Sequence, residues 1–278
     1  MLIKHLTLIC TIVNLSNARA KTSNTNFFMI DSLLADNNTF VRFGPEHWIS
    51  LAVWWSIGII IMYLGRNQWN ETQQKKCIFY FALIIAATQL FKIFARLYLG
   101  TFDITTDLPL ELCNIMSLIM PFIMLNKWRF GWSIMFFWIC AGTAQAMVTP
   151  THIEAFPNYE ALRYWAVHVG LPIIAIYGAV VYGWRVTWKD ALFSAIGLNL
   201  IALVIYFANL IFDSNYMYLN AKPPGVTIYS ILGPWPWYIL SLEGVIFILF
   251  SLLLIPFEWL SYLDKKNEKA IHQTKAID

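Results

Sequence analysis

A thiol and an imidazole, Cys113 and His168, stand inside apolar runs of this chain, together with Lys92, Arg96, Glu111, Asn114, Asn209 and Glu243. An ionisable group at membrane depth is costly unless it pairs or meets water, so a ring of such groups reads as a functional site. Imidazole beside thiol is the smallest constellation for nucleophilic acyl transfer: the ring takes the thiol proton and the sulfur attacks an acyl carbon. A plainer reading stands next to it. A lone histidine in an apolar helix is often a satisfied interior residue, and buried cysteine usually behaves as a small hydrophobe.

The local patterns sharpen the first reading. In Leu108-Pro109-Leu110-Glu111-Leu112-Cys113-Asn114, Pro109 suits a first helical turn and Glu111 complements the positive end of the helix dipole. Cys113 then sits where a helix N-terminus and nearby cations favour a thiolate. Gln89, Lys92 and Arg96 fall within an arc of about 60° on one helix face, which points to the bundle interior or an anionic headgroup more than to snorkelling. Asn199, Tyr206, Asn209 and Asp213 form another stripe, and interhelical hydrogen bonding accounts for Asn199. Glu243 is expected either to pair with Lys92 or Arg96 or to orient His168. His47, in Phe43-Gly44-Pro45-Glu46-His47-Trp48, is expected on the rim. No metal motif, phosphate loop or hydrolase elbow is visible, and Cys10, Cys77, Cys113 and Cys140 form no spaced pair, so no metal or cofactor is expected.

The elements that must position these groups are membrane helices. The chain has 59% hydrophobic and only 13% charged residues, which excludes an ordinary soluble domain. Apolar runs of about 20 residues, the length that crosses a bilayer, recur seven times. They cover roughly 46–64, 77–99, 109–126, 131–148, 161–182, 190–212 and 235–256, so the expected fold is an all-α bundle of seven transmembrane helices in a single domain at 46–256. Basic residues gather on one side of the threading: Arg66, Lys75, Lys76, Lys127, Arg129, Arg185, Lys189 and the tail lysines, against only Arg163 and Lys222 in the opposite loops. The positive-inside rule then places the C-terminus and the charged 257–278 tail in the cytoplasm and the 21–45 lead segment outside. Residues 1–20 read as a signal peptide or a short apolar helix. The net charge of +3 follows from this bias and gives no reason to expect nucleic acid.

Five segments together carry a resemblance: Phe43–Trp48, Leu108–Ile115, the isolated His168, Asn215–Pro223 and Leu232–Ile239. They resemble the YwaF-like family of integral membrane proteins, related to the eukaryotic transmembrane protein 164 family, and are spread over about 45–245. The resemblance implies a cysteine-dependent lipid acyltransferase whose nucleophile and histidine are Cys113 and His168. It gives no catalytic role to Glu111.

Two functions follow as expectations. As an enzyme, the chain acts on an acyl ester of an outer-leaflet phospholipid, with Lys92 and Arg96 holding the headgroup phosphate and Asn114 or Asn209 donating to the oxyanion. The acyl group then passes to a lysolipid or to water. As a transporter or binding protein, the chain uses the same ring as a solute cavity, with Glu243 and Lys92 or Arg96 as a coupling ion pair. The enzyme reading further expects the Cys113 sulfur and the His168 imidazole to lie within about 6 Å of each other and to open to a cavity in the outer half of the bundle.

Overall fold

A computed structural model of the chain describes residues 39–150, 154–223 and 228–275, with no side chain described at 228 or 268–275. The expectations for residues 1–20 and for Cys10 lie outside the described residues. Among those residues the helices are α1 (Pro45–Asn67), α2 (Glu71–Leu99), α3 (Leu112–Leu125), α4 (Arg129–Trp138), α5 (Ala144–Val148), α6 (Tyr159–Val180), α7 (Trp188–Phe212) and α8 (Trp237–Lys275). A π-helical segment, Ile139–Thr143, joins α4 to α5, and 3-10 turns at Tyr216–Tyr218 and Ile228–Ile231 lie between α7 and α8. The expected tail does not begin a new element at 257, because α8 continues through it to Lys275.

Among the described residues, six stretches are long and apolar enough to cross a membrane: α1, α2, Arg129–Val148, α6, α7 and Trp237–Asn267 of α8. The expected third span is the one that falls short. Its helix, α3, has 14 residues, or about 21 Å at the usual rise. The chain before it is spent on turns. Asp103 Oδ1 accepts from the Thr105 amide and hydroxyl, both at 2.8 Å, and Asp107 Oδ2 accepts from the Asp103 amide at 2.9 Å. Glu111, still extended, then caps α3. The short helix is tolerable because protein covers much of it: Met116, Met120, Ile123 and Met124 are fully buried.

The centre of the bundle is α6. Its most apolar window is 72% buried, against 11% for α1 and 17% for α7 and α8, whose outer faces carry large exposed apolar side chains. Close approach to α6 relies on glycine. A Cβ at Gly178 would lie 2.3 Å from the indole nitrogen of Trp132, whose N–H donates to the Ala175 carbonyl at 3.0 Å.

The ends of the bundle are tied by polar groups. At the end bearing the basic loops, Thr187 and Asp190 form a capping box for α7. Asp190 also takes both terminal nitrogens of Arg129, at 2.8 and 2.7 Å, and the Ser133 hydroxyl at 3.0 Å. At the other end, the buried His47 ring accepts from the Phe43 amide at Nδ1 (3.1 Å) and meets the Met147 carbonyl at Nε2 (2.8 Å). Nδ1 is the acceptor, so Nε2 carries the hydrogen. His47 is therefore a staple between the start of α1 and α5, and the rim role expected of it is corrected.

Candidate functional site

The helices alternate in direction, so the C-terminal half of α2, the start of α3, the π segment with α5, the first half of α6 and the Tyr216–Tyr218 turn meet at one end. That end lies opposite the basic loops. The elements enclose a cavity of about 880 Å³. Cys113, Asn114 and Glu111 line it from the start of α3, His168 from α6, and Lys92 and Arg96 from α2. Six of the nine residues singled out by type and spacing thus share one space.

Cys113 packs partly against the hydrophobic core, and its thiol contacts Asn114 Oδ1 at 3.8 Å. Its surroundings are less cationic than the sequence implied. The Glu111 carboxylate and the Arg163 guanidinium, of opposite charge, both lie within electrostatic reach of its sulfur. The Glu111 carboxylate accepts from the Met217 amide at 3.1 Å, joining the start of α3 to the Tyr216–Tyr218 turn. His168 is half-buried, its Nδ1 is 2.9 Å from the Tyr164 carbonyl, and its ring lies 4.0 Å from the Tyr164 ring centroid.

Lys92 and Arg96 do face the interior, but their charges are engaged. Both contact Asp107, at 3.3 and 3.2 Å, and both reach toward Glu160, at 3.8 and 3.7 Å. Arg163 binds the other Glu160 oxygen at 2.8 Å and Gln89 Oε1 at 2.9 Å, and its Nη1 is 3.5 Å from Asn114 Oδ1. Three cations and two carboxylates therefore interlock at the cavity wall. The cluster is incompletely satisfied: Gln89 Nε2, Arg96 Nε and Glu160 Oε1 are buried without a hydrogen-bond partner. Asp107, Glu160 and Arg163 carry this cluster and were not anticipated. Arg163 had been counted as a loop charge, although Glu160 and Arg163, three apart, have the spacing of a helical ion pair.

Two other expectations are corrected. Glu243 meets none of Lys92, Arg96 or His168 among the contacts described. Its carboxylate accepts from Asn199 Nδ2 at 3.3 Å, between the outward-facing helices α7 and α8, and it does not line the cavity. Asn199 and Asn209 diverge because α7 is long: the former is exposed and the latter is 1% exposed at the helix end. Asn209 is consumed by the following turn. Its Oδ1 accepts from the Ser214 hydroxyl and the Tyr216 amide, and its Nδ2 donates to the Tyr216 carbonyl, all within 2.9 Å. Its influence on the site is indirect. Tyr216, so held, accepts from the Leu108 amide and donates to the Ile104 carbonyl, fixing the loop that carries Asp107.

Searches among curated proteins and among solved structures each returned no match. The family model described as the TMEM164 family matches residues 42–254. That stretch contains every residue lining the cavity. It spans well over half of the 278 residues, and the chain belongs to the TMEM164 family.

Proposed function

We propose that this multi-pass membrane protein is a lipid acyltransferase or acyl-ester hydrolase in which Cys113 is the nucleophile and His168 the general base and acid. The observation that carries the reading is that Cys113, Asn114 and His168, from two different helices, line one cavity. A His168 ring that donates its Nδ1 hydrogen to the Tyr164 carbonyl holds the basic lone pair at Nε2. His168 takes the Cys113 proton, the sulfur bonds to the ester carbon, and collapse of the tetrahedral adduct breaks the ester C–O bond. The same proton goes to the departing alkoxide, leaving a lysolipid and a thioester on Cys113. A lysolipid hydroxyl or water then reverses these steps. Asn114 is the amide placed to donate to the oxyanion, since Asn209 is committed to its turn.

The cavity lies opposite the basic loops, so the positive-inside rule puts it toward the outer leaflet, at the depth of lipid ester carbonyls. In that orientation the C-terminus is cytoplasmic, residues before α1 lie outside, and α3 serves as a seventh, protein-sheltered crossing. Lys92 and Arg96 contact a headgroup phosphate only by sharing themselves with Asp107 and Glu160, so their first task is to hold the mouth of the cavity together. The transporter alternative loses its coupling pair, because Glu243 is engaged with Asn199.

Membranes carrying the full chain, treated with a phospholipid-like thiol-reactive probe, test the reading. Labelling at Cys113 that disappears in Cys113→Ala, and a hydroxylamine-sensitive acyl adduct at Cys113 formed from phospholipid, are the expected results. Unaltered labelling in Cys113→Ala, with no adduct, removes the nucleophile.

A further inference from the structure

We infer that Arg163 is a positioning residue for the nucleophile: its guanidinium, anchored by Glu160 and Gln89, holds the Asn114 amide in place and through it keeps positive charge beside the Cys113 thiol. The inference rests on the reading of Cys113 as nucleophile. Its geometry is a short relay. Asn114 Oδ1 is shared by the Cys113 sulfur at 3.8 Å and by Arg163 Nη1 at 3.5 Å. Asn114 is buried, at 7% exposure. Arg163 is fixed by Glu160 Oε2, which takes its Nε at 2.8 Å, and by Gln89 Oε1, which takes the same Nη1 that faces Asn114, at 2.9 Å. A planar, permanently charged guanidinium suits this task, since its Nε meets Glu160 while the two hydrogens of Nη1 are divided between Gln89 and Asn114.

The charges around the thiol show why a dedicated cation matters there. Glu111 from the start of α3 and Tyr218 from the Tyr216–Tyr218 turn lie within electrostatic reach of the sulfur. From α6 come Glu160, Arg163 and His168. The α2 cations Lys92 and Arg96 are held by Asp107 and Glu160. Arg163 is the cation linked to the Cys113 neighbourhood by a hydrogen bond. An arginine there also separates two duties. Its fixed charge stabilises the sulfur in its reactive form, and His168 remains available for the proton that must later reach the leaving group.

The test is the rate of Cys113 alkylation by iodoacetamide as a function of pH, on the full chain in phospholipid nanodiscs. Cys10, Cys77 and Cys140 are replaced by alanine so that one thiol reports. Arg163→Gln should slow alkylation at pH 7 by about tenfold and move the profile about one pH unit toward alkali, which corresponds to about 1.4 kcal/mol. Arg163→Lys, which keeps the charge and loses the fork, should fall between wild type and Arg163→Gln. A wild-type profile in Arg163→Gln, or Arg163→Lys as slow as Arg163→Gln, overturns the inference. If Arg163→Gln does not fold, Glu160→Gln carries the test. It retains an acceptor for Arg163 and deletes a negative charge, so its profile should move toward acid, and no shift or an alkaline one overturns the inference. Thioester formation from phospholipid, followed in the same proteins, keeps the two readings apart. Expected profiles without a thioester defeat acyl transfer alone, and a thioester with an unshifted Arg163→Gln profile defeats the role of Arg163 alone.

Discussion

Two charge clusters sit at opposite ends of this bundle, and they solve the problem of buried charge differently. At the basic end, Asp190 receives Arg129 in bidentate fashion, the Ser133 hydroxyl, and the amide and hydroxyl of Thr187. Arg129 also donates to the Arg185 carbonyl. Every oxygen of the carboxylate is used, and the cluster ties α4 to α7. At the cavity end, Glu160 holds Arg163 at 2.8 Å, but Lys92 and Arg96 meet Asp107 and Glu160 only at 3.2–3.8 Å, and Glu160 Oε1, Arg96 Nε and Gln89 Nε2 lack hydrogen bonds. A saturated network fixes a fold. An unsaturated one beside a cavity leaves polar groups for something else to meet, and here it borders a thiol and an imidazole.

This contrast can be broken most directly at its saturated end. Asp190→Ala removes the shared acceptor of Arg129, Ser133 and Thr187 and should destabilise the protein by about 2–4 kcal/mol, read as a large fall in thermal midpoint in detergent or as failure to purify. A midpoint close to wild type would mean that the cluster is ornamental. Gly178→Ala comes next. The added methyl would sit 2.3 Å from the rigid Trp132 indole, and overpacking of this kind costs about 1–3 kcal/mol. At Gly142, on the cavity wall, a Cβ meets nothing within 4 Å, so the same substitution there should be neutral or slightly stabilising.

The unsaturated end should give a smaller response to the loss of a carboxylate charge. In Asp107→Asn, Lys92 and Arg96 still face Glu160, and the adjoining cavity gives water access to them. The expected loss is about 1–2 kcal/mol. A loss as large as that of Asp190→Ala would erase the distinction between the two ends. The smallest effect is expected at Glu243, which lies outside both clusters. Glu243→Gln keeps an acceptor for Asn199 and should change stability by no more than about 0.5 kcal/mol, with iodoacetamide labelling of Cys113 unchanged. Slower labelling would return Glu243 to the site.

Much of this arrangement was legible before any coordinates. Apolar runs of bilayer length mark the helices because lipid leaves the backbone no partner but itself, and the starts of α1, α6 and α7 fall within about two residues of those runs. The polar stripe of Gln89, Lys92 and Arg96 faces inward, Gln89 buried and the two cations on the cavity wall, one of the two orientations its periodicity allowed. Cys113 and His168 reach one cavity because both lie in the first half of helices that start from the same end of the bundle. The missed length of α3 has a local cause. The apolar run continues through Leu108-Pro109-Leu110, but Asp103, Thr105 and Asp107 make side-chain-to-backbone turns that delay the helix until Leu112.

What sequence alone determined was therefore level along the bundle: which residues lie towards which end, and on which face of their own helix. Partner identity was decided by tertiary structure. Lys92 and Arg96 found Asp107, in a loop no periodicity describes, and Glu160, on a helix far along the chain. Glu243 and Asn209 share the right depth but point elsewhere, one between outer helices and one into a turn. Rotation about the helix axis relative to its neighbours is set by packing, here by α6 and the glycine that admits Trp132, and such contacts between distant segments leave no periodic trace in the chain.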